Sequence, residues 1–238
     1  MIPEHNVFGQ PIGHALERWT KRPLPPGTPM VGRCCSIEKL DAERHAADLY
    51  AAFSETPDGR DWTYSPAGPF STLAQYRDYL REEAAKPDPL HHAIIDHRSG
   101  KPLGTAALMR IDPVNGVIEI GHIVYSLRLK RTRCGTEAMY LFMRRVFDEL
   151  GYRRYEWKCD SLNEPSRRAA ERYGFRFEGI FRQAVVYKRR NRDTAWFSIL
   201  DGEWPALRAS FEAWLETENF NADGKERQSL SAIRAGIR

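Results

Sequence analysis

The sequence predicts an α+β fold, in which one mixed sheet is flanked by helices behind an extended N-terminal arm. Short apolar runs bounded by Gly, Pro and polar residues are typical of strands, and other segments repeat apolar residues every three or four positions, as helices do. The 238 residues, of which 42% are hydrophobic and 29% are charged, suit one globular unit with a sizeable core. No internal repeat is visible in the sequence, which argues against a repeat architecture.

The first half of the chain supplies the arm, two helices and four strands. Residues 1–30 contain six prolines and no long apolar period, so we predict an extended arm there. The ranges that follow are a strand over 32–40, helices over 41–55 and 72–85, and strands over 91–96, 102–111 and 116–126. Asp41 is the predicted N-cap of the first helix, because a short polar side chain can accept an otherwise unpaired backbone N–H.

The second half contains the most regular helix of the chain. Ala138, Phe142, Val146 and Leu150 recur every four residues, which predicts a helix over 135–151. The later elements are a strand over 153–159, a helix between Asn163 and Gly174, strands over 175–188 and 192–200, and a helix over 203–216. We therefore predict one domain over 31–218 with a sheet of about seven strands. A polar tail over 219–238 follows it.

Composition and charge exclude several classes of protein. The N-terminus has no basic segment before an apolar run, and no stretch of about 18 apolar residues occurs, so we expect neither secretion nor a membrane span. The four cysteines include an adjacent pair and no Cys-x-x-Cys spacing, which favours free thiols in a reducing cytoplasm. A net charge of +4 is too small to indicate a dedicated nucleic-acid binder. We therefore expect a cytoplasmic protein.

Two basic segments interrupt this mild charge. "LRLKRTR" at 127–133 and "KRRNR" at 188–192 each contain four cations. The first lies between a predicted strand and the N-terminus of the long helix, where free backbone N–H groups and the helix dipole favour an anion. A phosphate or pyrophosphate site and an ordinary solvated surface are both compatible with this pattern.

Several motifs between residues 116 and 200 occur in a specific order. "IEIGHIVYS" is followed by the helix start "GTEA", then by "NEPS", then in register by "YGFRFEG" and two closing strands. This order resembles the GNAT superfamily of N-acetyltransferases, in particular the RimJ/RimL-like branch that includes ribosomal-protein N-terminal acetyltransferases. The likeness extends more loosely back to Gly32. It implies the GNAT acyltransferase fold and a transferase that takes its acetyl group from acetyl-CoA.

The resemblance implies that the loop before the long helix holds the pyrophosphate of acetyl-CoA. The residues implied in binding are Lys130, Arg131, Thr132, Arg133, Cys134, Gly135 and Thr136, with Asn163 and Ser166 beside the acetyl-pantetheine arm. In the family pattern Arg/Gln-x-x-Gly-x-Gly/Ala, this chain has Arg133 at the first glycine and Gly135 at the last. Arg133 would either hinder the close approach of the backbone or add a cation to the phosphates.

Acetyl transfer to an amine needs a base for the ammonium proton and an acid for the leaving thiolate. Glu119 lies among apolar neighbours, where burial would raise its pKa toward a useful range, and the resemblance supports a base there. Glu178 is a second candidate base and Ser166 is a candidate acid, although each of the three also has a structural interpretation. Since Ala170 stands where many relatives carry a tyrosine acid, the acid stays open between Ser166 and solvent.

Strict alternation along the strand over 116–126 assigns its side chains to two faces. Glu119, Ile123 and Tyr125 share one face, and Ile120 and His122 share the other. A lone histidine between apolar neighbours is typical of a satisfied core residue. The alternation therefore predicts that His122 is part of the core.

We expect direct attack of an amine on the bound thioester, without a metal or a covalent enzyme intermediate. The acceptor is open between a protein N-terminus and a small molecule, and the sequence also leaves a homodimer open. One alternative is a non-catalytic acyl-CoA sensor or interaction module, favoured by Ala170 and Arg133. Another is an RNA binder that uses the cations of 127–133. The arm is either a surface wrap or a lid over the acceptor pocket.

Overall fold

The computed structural model describes residues 3–237 and has the predicted α+β class. Within these residues lie ten strands: β1 Glu4–His5, β2 Pro11–Ile12, β3 Met30–Val31, β4 Cys35–Lys39, β5 Leu90–Asp96, β6 Lys101–Asp112, β7 Val117–Tyr125, β8 Arg154–Asp160, β9 Arg176–Tyr187 and β10 Arg190–Leu200. The same residues form the α-helices α1 Ala42–Ser54, α2 Leu73–Ala84, α3 Arg133–Arg144, α4 Glu164–Tyr173, α5 Trp204–Leu215 and α6 Leu230–Gly236. No helix in this part of the chain is long and apolar enough to cross a membrane.

Eight of the strands form one sheet in the order β3-β4-β5-β6-β7-β8-β10-β9. Each neighbouring pair is antiparallel except β7 and β8, which run parallel on either side of the α3 crossover. The prediction of about seven strands missed β3, a two-residue strand that pairs Met30 with Ile37 at the edge. β1 and β2 form a separate ladder in the arm.

Helices cover both faces of this sheet. His91 of β5 lies beside Glu83 of α2, whereas His92 packs edge-on against Phe142 of α3. Because successive strand side chains point to opposite faces, α2 and α3 lie on opposite sides of the sheet. A core built around Leu49 of α1 fills the first side, and a larger core of α3, α4 and α5 residues fills the second.

The predicted helix ends agree closely with the structure. The Asp41 carboxylate caps α1 by accepting two backbone N–H bonds. Asn163 caps α4 through Ser166 N–H, and Gly174 ends that helix at a φ of 99°, a conformation that glycine adopts readily. The long helix differs from its prediction after Arg144, where one wider turn over Arg145–Glu149 ends the element.

The N-terminal arm packs on the end of the sheet where β7 begins. Trp19 Nε1 donates to the carbonyl of Val114 at 2.8 Å, and Arg22 N–H donates to that of Pro113 at 2.9 Å. Tyr152 donates its hydroxyl to the Pro23 carbonyl at 3.1 Å. These contacts favour the surface wrap over the lid.

The C-terminal segment, predicted as a polar tail, contains α6 and packs on the domain. Leu230 is 1% exposed, and Arg234 Nη1 donates to the carbonyl of Arg172 in α4 at 2.8 Å. Phe220 packs edge-on against Trp214 of α5. This helix is hard to predict because it is only seven residues long, and its stability comes from docking on α4 and α5.

Candidate active site

A gap opens through the sheet where β7 and β8 part. The two strands pair only from Val117 to Ile120 on β7, opposite Arg154 to Trp157 on β8. Since β7 continues to Tyr125 and β8 to Asp160, their last residues are not paired with each other. The end of β7 leads through a short loop into the N-terminus of α3, so the gap lies beside that helix end.

A β-bulge near the end of β7 reverses the faces of the strand. The pairing with β6 shifts between Gly121 and Val124, and His122 has a φ of 48°, in the left-handed region. Tyr125 consequently packs with the α3 core and Val124 with the α1–α2 core. The prediction from strict alternation is therefore wrong beyond Gly121, because a bulge inserts one unpaired residue. The His122 ring lies 4.9 Å from that of His91, on the α2 side.

Glu119 lies before the bulge as a buried carboxylate. It is 5% exposed and forms ion pairs with Lys158 Nζ at 2.8 Å and Arg110 Nε at 3.2 Å. Burial raises the pKa of Glu119 above its ordinary value, while the charges of Lys158 and Arg110 oppose that shift. The burial agrees with the apolar neighbours of Glu119 in the sequence. The two cationic partners come from other strands.

Lys158 links Glu119 to a second carboxylate across the parallel strands. Its Nζ lies 2.7 Å from Glu156 and 3.7 Å from the centre of the Trp196 ring. Trp196 is half-buried and stacks on Phe181. The two-residue spacing of Glu156 and Lys158 could have placed them on one strand face, but their link to Glu119 requires the β7–β8 register.

Glu178 has a different environment from Glu119. It accepts hydrogen bonds from Arg154 Nη1 at 2.8 Å and from the Ser198 hydroxyl at 2.6 Å. The Arg154 guanidinium holds the pKa of Glu178 below its usual value. A carboxylate that is stabilised in its ionised form is a weaker proton acceptor. These contacts favour a structural role for Glu178.

The first turn of α3 is ordered by Thr132. Its hydroxyl accepts the N–H of Gly135 at 3.0 Å and donates to the carbonyl of Leu129 at 2.8 Å. The N–H groups of Arg133 and Cys134 belong to the same turn, in which N–H groups have no partner within the helix. A Cβ added to Gly135 would lie 2.6 Å from the Leu129 oxygen, so glycine allows this loop to approach the helix. The arrangement is suited to an anion.

Most cations of the 127–133 segment have other partners. Arg128 pairs with Glu55, and Lys130 Nζ lies 2.5 Å from Asp61. Arg133 donates to the Leu215 carbonyl and covers the Phe220 ring at 4.6 Å. Its side chain therefore points toward the C-terminal segment, which accounts for a non-glycine residue at this loop position. Arg131 is exposed in a left-handed conformation, with a φ of 59°.

Arg172 joins this region from α4. Its Nη1 donates to the Thr136 hydroxyl on the first turns of α3 at 3.1 Å. Its partner Glu226, from the C-terminal segment, is 3.7 Å away. Sequence reasoning missed this cation because Arg172 is near in space to α3 only through the fold. Helical periodicity indicates only that Arg172 lies on the polar face of α4.

Ser166 lies on the β8 side of the gap. Its hydroxyl oxygen accepts the indole N–H of Trp157 at 3.0 Å, so the hydroxyl proton stays available. Asn163 positions it by capping the same turn. Ala170 is fully buried at the tyrosine position of the family, and the Tyr173 ring lies 6.2 Å from Trp157 as part of the core.

Three loops meet on the α1–α2 side of the gap. The Tyr64 hydroxyl, from the α1–α2 connection, donates to the Leu162 carbonyl before α4 at 3.1 Å. Lys188, from the β9–β10 turn, donates to the Trp62 carbonyl at 2.7 Å. The α1–α2 connection therefore borders this side of the gap.

Comparisons with known proteins agree with this geometry. The model of the Acetyltransferase (GNAT) domain matches residues 36–176, more than half of the chain. A GCN5-related N-acetyltransferase from Brucella melitensis is 50% identical with a TM-score of 0.91, and the match covers 92% of this chain and 100% of that one. A GNAT-family protein from Chromobacterium violaceum is 41% identical with a TM-score of 0.77, over 82% and 98% of the two chains.

More distant structures share the fold alone. A RimL ribosomal L7/L12 α-N-protein acetyltransferase in complex with coenzyme A is 16% identical, with a TM-score of 0.61 over 73% of this chain and 99% of that one. A comparison with curated protein sequences gave no match. The family match, the close structural relatives and the parted parallel strands support one conclusion: the chain belongs to the GNAT family and is an acetyl-CoA-dependent acetyltransferase.

Proposed function

We propose that the protein transfers an acetyl group from acetyl-CoA to a primary amine, either a protein N-terminus or a small amine, by direct attack on the thioester. The observation that carries this proposal is the gap between β7 and β8, which has an anion-binding helix end beside it and the buried carboxylate of Glu119 at its base. A RimJ/RimL-like acceptor is one form of this proposal. Its support is a sequence resemblance and a shared fold.

The pyrophosphate of acetyl-CoA would bind at the N-terminus of α3. The first-turn N–H groups of Arg133 and Cys134 and the helix dipole would supply the main attraction. Arg131 is an exposed cation of the loop, and Arg172 adds a second positive charge from α4. Gly135 keeps the helix close to the loop, so it would act by shaping this cradle.

Glu119 is the base that we propose for the ammonium proton. Burial raises its pKa, which makes the carboxylate a better proton acceptor than an exposed glutamate. The charges of Lys158 and Arg110 oppose this rise and favour the ionised carboxylate, which is the form that accepts a proton. Glu178 is a weaker candidate for the base, because its hydrogen-bonded ion pair with Arg154 lowers its pKa.

The proposed reaction conserves protons at each step. Glu119 removes a proton from the ammonium group, directly or through water, and the amine nitrogen forms a bond to the thioester carbonyl carbon. The tetrahedral intermediate then loses the second nitrogen proton to solvent and breaks its C–S bond, which leaves the neutral amide. Ser166 donates its hydroxyl proton to the leaving thiolate and recovers one from solvent. Trp157 orients the Ser166 oxygen for this donation.

The test begins with acetyl-CoA binding by calorimetry, with ATP and NADPH as controls. Mass spectrometry then follows acetylation of a panel of peptides with free N-termini, the same peptides with blocked N-termini, and small primary amines. We expect selective acetyl-CoA binding and acetylated products from free amines only. Binding of acetyl-CoA without product from any amine would favour a sensor or interaction module. Failure to bind acetyl-CoA would refute the donor site.

A further inference from the structure

A second cluster of titratable side chains lies outside the residues proposed for acetyl transfer. Glu83 of α2, His91 of β5 and His122 of the β7 bulge offer one ligand atom each, and these atoms all lie within 4.8 Å of one another. Glu83 and His91 are 8% and 5% exposed, and His122 is half-buried. Three elements that are distant in the sequence thus bring two imidazoles and one carboxylate together.

The polar atoms of this cluster face one another with incomplete hydrogen bonding. His91 Nε2 lies 3.0 Å from Glu83 Oε2, but among the described residues it has no hydrogen bond of normal geometry. Glu83 Oε1 is paired with Lys86 Nζ at 2.6 Å, which leaves Oε2 directed at the histidines. A buried nitrogen without a partner is unfavourable. A cation held between His91 and Glu83 would satisfy both atoms.

The β-bulge brings the third ligand into place. An unbroken β7 would direct His122 to the α3 side, whereas the left-handed φ of 48° directs it toward His91 instead. The two rings lie 4.9 Å apart at an angle of 73°. This separation lets a ring nitrogen of each histidine approach a common point beside the Glu83 carboxylate.

We propose that Glu83, His91 and His122 form a binding site for a divalent metal ion of the zinc class. Two histidines and a glutamate are a ligand set that Zn²⁺ uses in proteins, with bonds of about 2.0–2.2 Å. Such bonds place neighbouring ligand atoms about 3.3 Å apart in a tetrahedron, close to the 3.0 Å between His91 and Glu83.

Lys86 is the charged group that competes with a metal ion for Glu83. Its side chain is 47% exposed, so it can turn to solvent when a cation binds. Three protein ligands leave one coordination position for water or a small ligand. The site lies on the face of the sheet that also carries Glu119, and the ion would connect α2 to the bulge of β7. It does not depend on the roles proposed for acetyl transfer.

The experiment uses the tag-free, full-length protein after removal of metals with a chelator. Zn²⁺ is titrated by calorimetry, and Co²⁺ is titrated by its visible absorption, which reports tetrahedral nitrogen and oxygen ligands. We expect one equivalent of metal per chain. His91→Gln and His122→Gln should each weaken binding more than about tenfold. His97→Gln changes an exposed histidine outside the cluster and should bind as the unmodified protein does.

A second measurement, thermal unfolding, tests the site without a binding constant for the metal. Zn²⁺ should raise the thermal unfolding midpoint of the unmodified protein and of His97→Gln, but not that of His122→Gln. Circular dichroism identifies any variant that fails to fold, and the half-buried His122 is the safer position to change. Absence of Zn²⁺ and Co²⁺ binding to the unmodified protein would overturn the proposal. Unchanged affinity in His122→Gln would overturn it as well.

Discussion

Replacing Glu119 with Gln should remove the proposed base while leaving the fold intact. Lys158 would keep Glu156 at 2.7 Å and the Trp196 ring at 3.7 Å, so no buried charge is left without a partner. We therefore expect a stability change within about 1 kcal/mol, well below the roughly 3–5 kcal/mol for a buried charge that loses its partner. Loss of a general base should lower kcat about 10²- to 10⁴-fold, equivalent to about 3–5 kcal/mol in the barrier.

The assay measures coenzyme A release with the best amine acceptor, over a range of pH. Because Glu119 must be ionised to act, kcat/KM should rise with pH through its raised pKa, and Glu119→Gln should lack this limb. The stability of the fold should depend on pH in the opposite direction. The protonated carboxyl stabilises the fold below the unfolded pKa, and this contribution is lost as pH rises through the folded pKa. The substitution should flatten that dependence too.

Glu156→Gln is the matched control, since it removes the other carboxylate partner of Lys158. It should retain turnover within a few-fold, and acetyl-CoA affinity should stay near that of the unmodified protein in both variants. Turnover of Glu119→Gln within about threefold of the unmodified protein would refute the assignment of the base. Equal losses in both variants would assign the effect to the ion-pair network instead.

Three further changes test the remaining parts of the site and fold. Ser166→Ala should lower kcat with little change in acetyl-CoA affinity, and a kcat within about threefold of the unmodified protein would remove Ser166 as the acid. Gly135→Ala places a Cβ 2.6 Å from the Leu129 oxygen, so we expect a loss of about 1–3 kcal/mol in unfolding free energy and weaker acetyl-CoA binding by calorimetry. Gly202→Ala, where a Cβ meets nothing within 4 Å, is its control. Leu230→Ala should lower stability by about 2–5 kcal/mol in denaturant unfolding, because this side chain is 1% exposed; an unchanged midpoint would mean that α6 does not dock in solution.

Local sequence patterns predicted the elements well and the site only in part. The caps at Asp41 and Asn163 and the burial of Glu119 depend on neighbours in the sequence, so they could be predicted. The bulge at His122 could not, because it arises from the pairing of β7 with β6. The orientation of the Arg133 side chain could not be predicted either, because it depends on a hydrogen bond to the Leu215 carbonyl, far along the chain.

The separation of β7 and β8 should also make backbone hydrogen exchange differ between the free protein and its complex with acetyl-CoA. Backbone groups at the ends of two strands face a space that a neighbouring strand would normally fill, so an amide-containing substrate arm can act as a surrogate strand. Binding would then complete the sheet as well as present the thioester. Within 121–125 and 158–160, the amide hydrogens that point into the gap should exchange faster in the free protein than those that pair with β6 or β10, and acetyl-CoA should slow them selectively.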